Sequence, residues 1–129
     1  MTAQERAQTA YELKATGQCN CTQAVLMALK DKLGKEDDYL MDAASGFAAG
    51  MGCMESTCGA LIGAVIAAGI IKEGNGTPKI SKNLVADFKE MCGDTICKNL
   101  KGAQTGKVLC QCPDCCKNAV LALSKQIEL

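Results

Sequence analysis

The chain contains no histidine and no tryptophan. Without histidine, most acid-base mechanisms near neutral pH have no side chain to run on, and imidazole is missing as a metal ligand. Aromatic residues are scarce, two Phe and two Tyr, so there is little to stack on bases. The 14 basic and 14 acidic residues cancel, which leaves no cationic field for a phosphate backbone. Nucleic acid is therefore not an expected partner. A nucleotide-binding glycine loop, a Ser-His-Asp set and a paired-carboxylate arrangement are all missing, which disfavours a conventional hydrolase or transferase.

Long apolar runs are also few. The first seventeen residues, MTAQERAQTAYELKATG, mix charges and hold no apolar core of a secretory signal, so the expected location is the cytoplasm. The longest apolar stretch, Cys58 to Ile71, would reach about 21 Å as a helix, short of the roughly 30 Å of a bilayer core. It reads as a central helix, spanning about 57–72, and no membrane partner is expected.

What the chain has in quantity is sulfur: ten cysteines in 129 residues. A chain of this length can bury an adequate core as one domain over 1–129, so it does not need disulfides merely to fold. In a reducing compartment such cysteines are metal ligands or working thiols. The six methionines fit core filling better than a copper-thioether site.

The apolar spacing is helical almost throughout, and no strand of convincing alternation is present. Thr2-x-x-Glu5 and Asn20-x-x-Gln23 are capping-box patterns, opening helices that Gly17 and Gly34 close. A third helix is expected from Asp37 or Asp38 to about Ala49, broken by Gly50-Met51-Gly52-Cys53. After the central helix and a turn at 74–78, another helix starts near Ser81, and Asp94 caps a short one holding Ile96, Cys97 and Leu100. A polar loop from Lys101 to Leu109 leads to a last helix opened by Pro113. The expected fold is an all-α, compact bundle of about six or seven helices around the glycine-containing central one. Gly59 and Gly63, four apart on that helix, leave a groove for close backbone packing or a bound group.

Cys21, Cys58 and Cys112 fall at predicted helix N-termini, where unpaired N–H groups and the positive dipole end favour a thiolate. Several thiolates gathered without a cation would repel one another, so they must bind metal, form disulfides or stay protonated. A sulfur-only site suits an iron-sulfur cluster, Zn(II) or Cu(I). Cys112-x-x-Cys115 resembles both a metal knuckle and a dithiol. Cys53/Cys58 and Cys92/Cys97 are five apart, about 140° around a helix, and converge only if Gly52 and Gly93 break it. Cys92 and Cys116 read as buried small apolar groups, while Cys19 and Cys110 are open between bystander and accessory thiol.

Four anchors in order, Cys21-Thr22-Gln23-Ala24-Val25-Leu26, Cys58-Gly59-Ala60-Leu61-Ile62-Gly63, Cys97 with Leu100, and Cys112-Pro113-Asp114-Cys115, give the chain a family resemblance. It resembles the redox-active proteins named for the pattern C, GCAxxG, C, C, over nearly its whole length. The departures are Thr57 where the name has glycine, and six further cysteines. The resemblance implies a small helical protein whose hallmark cysteines, here Cys21, Cys58, Cys97 and Cys112, hold a prosthetic group such as an iron-sulfur cluster. The leading expectation is most simply a 2Fe-2S cluster on those four, against Gly59 and Gly63 of the central helix. Cys115 and Cys53 compete as ligands. The expected role is electron transfer or redox sensing with a partner protein, self-association being left open. The competing roles are thiol-disulfide exchange through Cys112/Cys115 or Cys21/Cys58, with no cofactor, and a non-catalytic Zn(II) or Cu(I) binding module.

Overall fold

Both capping boxes close at the first two helices, in a computed structural model that describes residues 1–129. The Glu5 amide donates to the Thr2 hydroxyl at 3.1 Å while Glu5 takes the Thr2 N–H at 2.8 Å, opening α1 (Ala3–Ala15). Asn20 and Gln23 do the same at 2.9 and 3.1 Å to open α2 (Cys21–Ala28). The chain then forms α3 (Lys30–Leu33), α4 (Asp37–Ala44), a wide turn at Gly50–Met54, α5 (Gly59–Ile71), α6 (Thr77–Cys92), α7 (Cys97–Lys101) and α8 (Cys112–Ser124). The fold is all-α, as expected, with six longer helices and two of five residues or fewer.

Four boundaries differ from the sequence reading, each for a local reason. The helix expected to run to Gly34 breaks at Leu29, because the Ala28 carbonyl is taken by the buried Arg6 guanidinium at 3.3 Å. Arg6 also holds Asp31 in a bidentate pair at 2.6 and 2.8 Å, which pins α1 to α3. α4 stops at Ala44, five residues short of Ala49, and Ser45 donates back to the Asp42 carbonyl at 2.7 Å. α6 starts four residues before Ser81, since Pro78 in its first turn has no N–H to leave unpaired. Cys58 is the N-cap of α5, outside the helix instead of within it.

α5 packs on α2, α6 and α8, and α1 covers α2 and α8. The central helix turns mainly small residues inward: Gly59, Ala60, Gly63, Ala64, Ala67 and Ala68 are buried, together with Leu61, whereas Ile62, Val65, Ile66 and Ile70 are only half-buried. The helix is thus enclosed on its small-residue side rather than all round, because only that side lets neighbouring backbones come close. Thr22 exploits this approach, donating its hydroxyl to the Gly59 carbonyl at 2.9 Å. No helix is long and apolar enough to cross a membrane.

Candidate functional site

Each hallmark cysteine opens a helix. Cys21, Cys97 and Cys112 are the first residues of α2, α7 and α8, and Cys58 caps α5. Sequence reading placed three of them at helix starts; Cys97 is the fourth, because the Asp94 carboxylate accepts the Thr95 and Ile96 amides at 2.6 and 2.9 Å and ends the preceding turn just before it. Cys58 and Cys97 are drawn together by an isolated antiparallel bridge, Thr57 with Ile96, in which the Cys58 amide donates to Thr95 at 2.7 Å and the Cys97 amide to Ser56 at 3.0 Å.

These four cysteines and Cys115 line one cavity of about 310 Å³. Gly59, Ala48, Ala49 and Met54 supply apolar wall, and Lys14, Asn20 and Lys101 the polar part. The Met54 side of the wall belongs to a contorted stretch: Ala49, Met51 and Met54 all adopt left-handed φ of 55°, 64° and 66°, each costing about 1 kcal/mol or more for a residue with a Cβ. Gly50 sits in the same stretch because a Cβ there would lie 2.6 Å from the Cys97 Cβ. Gly59 is required for a similar reason, since its Cβ would fall 2.6 Å from both Cys21 Sγ and Thr22 Oγ1.

Two of the residues read from the sequence lie elsewhere. Gly63 does not border the cavity; it lets α5 close on α2, where a Cβ would stand 3.0 Å from the Thr22 carbonyl and 3.1 Å from Val25 Cβ. Cys53 is exposed, with its thiol toward the Gly50 carbonyl at 3.7 Å. Its partner five residues on, Cys58, is in the cavity, so the Gly52 break does not bring that pair to one wall. Nor does Gly93 do so for Cys92 and Cys97: Cys97 faces the cavity and Cys92 faces a second group of sulfurs.

That second group is what the sequence reading missed. Cys92, Cys110 and Cys115 are buried with their sulfurs within 4.8 Å of one another, close enough to hold a metal ion. Cys92 is buried in the hydrophobic core as expected, but its sulfur also has sulfur and amide neighbours: Asn118 donates to it at 3.3 Å and to Cys110 at 4.0 Å. The signal in the sequence was Cys112, Cys115 and Asn118 at successive i, i+3 steps on one face of α8. Cys115 therefore belongs to both places, bordering the cavity on one side and the triad on the other.

The electrostatics follow from this arrangement. Cys58 is pulled down to about 6, first by hydrogen bonding from the Cys115 thiol, against the opposing effect of burial, and then by the Ala60 and Leu61 amides that face its sulfur. Those amides make no capping hydrogen bond of ordinary geometry; it is their dipoles that favour the anion. The Lys101 ammonium adds to this, 3.9 Å from Cys115 Sγ. Cys92 is also lowered, by the thiols of Cys110 and Cys115 and by Asn118. Cys115 is raised by its three sulfur neighbours Cys110, Cys58 and Cys92. The Cys115 thiol donates to the Cys110 carbonyl at 3.7 Å, and its single proton can serve that carbonyl, Cys58 or Cys92 only one at a time. Lys101 is held protonated although burial opposes it, through Cys112 and the nearby Cys115 and Cys58. Cys97 and Cys116 are raised by burial, and the Cys116 thiol points to the Cys21 carbonyl at 3.5 Å.

A cavity walled by sulfur, with one thiol poised as an anion and a buried lysine beside it, can hold a soft metal centre or carry out thiol chemistry. The chain matches no curated protein and no solved structure. Residues 19–126, most of its length, match the family model described as "Putative redox-active protein (C_GCAxxG_C_C)", and the chain belongs to that family.

Proposed function

We propose that the cavity holds an iron-sulfur cluster on Cys21, Cys58, Cys97 and Cys112, and that the protein transfers electrons to, or senses the redox state of, a partner protein. One observation carries this reading: four cysteines from four separate helix starts border a single cavity, yet no three of their sulfurs lie within 4.8 Å of one another. A single tetrahedral ion with bonds of about 2.3 Å needs sulfurs roughly 4 Å apart, so the wider spacing suits a group with more than one metal atom. The donor set agrees, being all thiol with no imidazole or carboxylate.

Bound there, such a cluster would supply one-electron transfer. The rest is the work of this chain. The Ala60 and Leu61 amides at the α5 N-terminus face the Cys58 sulfur and favour its anionic form. Lys101 and Lys14 offset the accumulated negative charge, while Ala48, Ala49 and Met54 supply apolar lining. Anaerobic purification or reconstitution tests the reading through iron and sulfide counts with visible and EPR spectra. A protein that stays colourless and iron-free after reconstitution refutes it.

A second reading is favoured by the Cys58/Cys115 contact. A lowered thiol beside a raised one is the arrangement of an attacking thiolate and its resolving partner, so thiol-disulfide exchange would use Cys58 and Cys115 rather than Cys112/Cys115 or Cys21/Cys58. Alkylation mapped by mass spectrometry before and after mild oxidation separates the two readings, because only exchange predicts a reversible loss of two hydrogens at that pair.

A further inference from the structure

We infer that Cys92, Cys110 and Cys115 form a second, interior metal site, built for a soft ion of low coordination number of the Cu(I) class and distinct from the cavity except that both share Cys115. Three segments converge to make it. Cys92 ends α6, where Gly93 turns the chain with φ of 98°. Cys110 is fixed by its own and the Leu109 amide, both donating to the Leu100 carbonyl at 3.3 and 2.9 Å. Cys115 lies in the first turn of α8, with Asn118 one turn further along the same face.

The three sulfurs already lie within 4.8 Å of one another, and a three-coordinate ion with bonds of about 2.3 Å needs them roughly 4 Å apart, so closure takes under an ångström. No fourth His, Cys, Asp or Glu joins them at that range. Asn118 turns its amide N–H groups toward Cys92 and Cys110, as donors to anionic sulfur. Zn(II) in structural sites takes four ligands, whereas Cu(I) is content with three thiolates. Burial leaves little access for water as a fourth ligand: Cys115 is 0% exposed, Cys92 4% and Cys110 9%. Loading one Cu(I) forms three Cu–S bonds and releases whatever protons the three sulfurs carry, with no change of oxidation state. The remaining negative charge faces the Asn118 amide and the Lys101 ammonium, 3.9 Å from Cys115 Sγ.

The test is an anaerobic titration of the reduced full-length protein with Cu(I) against a chromophoric Cu(I) chelator, comparing wild type, C92A/C110A and C21A/C97A/C112A. The triple variant is expected to keep one tight equivalent that C92A/C110A loses, and Zn(II) is expected not to displace it. A C92A/C110A protein that binds as many tight equivalents as wild type, loss of the equivalent from the triple variant, or its displacement by stoichiometric Zn(II) overturns the assignment. If a variant fails to fold by circular dichroism, X-ray absorption of wild type carrying one Cu(I) decides: three sulfurs in one shell support the site, and two or four overturn it. Iron and sulfide content of C92A/C110A reports on the cavity separately, because neither residue borders it.

Discussion

Replacing Gly59 by alanine adds one carbon to the most crowded point of the site. That carbon would meet Cys21 Sγ and Thr22 Oγ1 at 2.6 Å and the Ala48 Cα at 3.0 Å, so α5 must move off α2 or Cys21 must leave its place. Overpacking of this kind costs about 1–3 kcal/mol. Alanine recovers up to about 1 kcal/mol in a helix interior, less at the first helical residue, so the net loss is about 1–2 kcal/mol. For a chain of this length that lowers the Tm by roughly 4–8 °C. Gly69 is the control on the same helix: its nearest neighbour to a Cβ is Thr77 Cγ2 at 3.9 Å, so Gly69→Ala is expected to raise the Tm by a few degrees. Gly63→Ala separates packing from the site, since it crowds Thr22 and Val25 without touching the cavity; it is expected to lower the Tm while leaving iron content unchanged, whereas Gly59→Ala lowers both. Thermal melts and iron counts of the three variants provide the comparison. A Gly59→Ala protein that melts at or above wild type, or a Gly69→Ala protein that loses as much stability, refutes the reasoning.

In the metal-free reduced protein, thiolate absorbance and alkylation of Cys58 are expected to rise with a midpoint at about pH 6, and Lys101→Met to move that midpoint upward; a midpoint in the ordinary thiol range contradicts the geometry. Because the folded pKa of Cys58 is lowered, its contribution to stability is complete above the ordinary thiol pKa and is lost as pH falls through about 6, so urea midpoints are expected to decline over that window. Asp31, held at about 2 by Arg6, gives the same sign at lower pH: its contribution is present above the ordinary carboxylate pKa and disappears as pH falls toward 2. Asp31→Asn leaves the buried Arg6 charge without its bidentate partner and is expected to cost about 2 kcal/mol, discounted for the exposure of Asp31, as read from urea unfolding. Cys116, buried and raised, is expected to resist alkylation in the native state at every pH where Cys58 reacts.

Local chemistry was enough to determine the helices and most of the cavity cysteines from the sequence. Thr2/Glu5 and Asn20/Gln23 carry their caps within four residues, and the unbroken apolar stretch ending at Ile71 could only be a packed helix. Cys21, Cys58 and Cys112 stand beside capping or helix-starting residues, so their placement at N-termini was legible from neighbours in the chain. What tertiary structure alone decided depends on pairs distant in sequence. The Arg6–Asp31 pair and the Ala28 carbonyl that Arg6 captures split a helix that looks continuous. The bridge between Thr57 and Ile96 brings Cys97 to Cys58. The gathering of Cys92, Cys110 and Cys115 needs α6, the loop after α7 and α8 together, and no local pattern encodes it. Capping and periodicity act over one turn, whereas a sulfur's neighbours, and hence its charge state and ligand, are set by which helices pack against it.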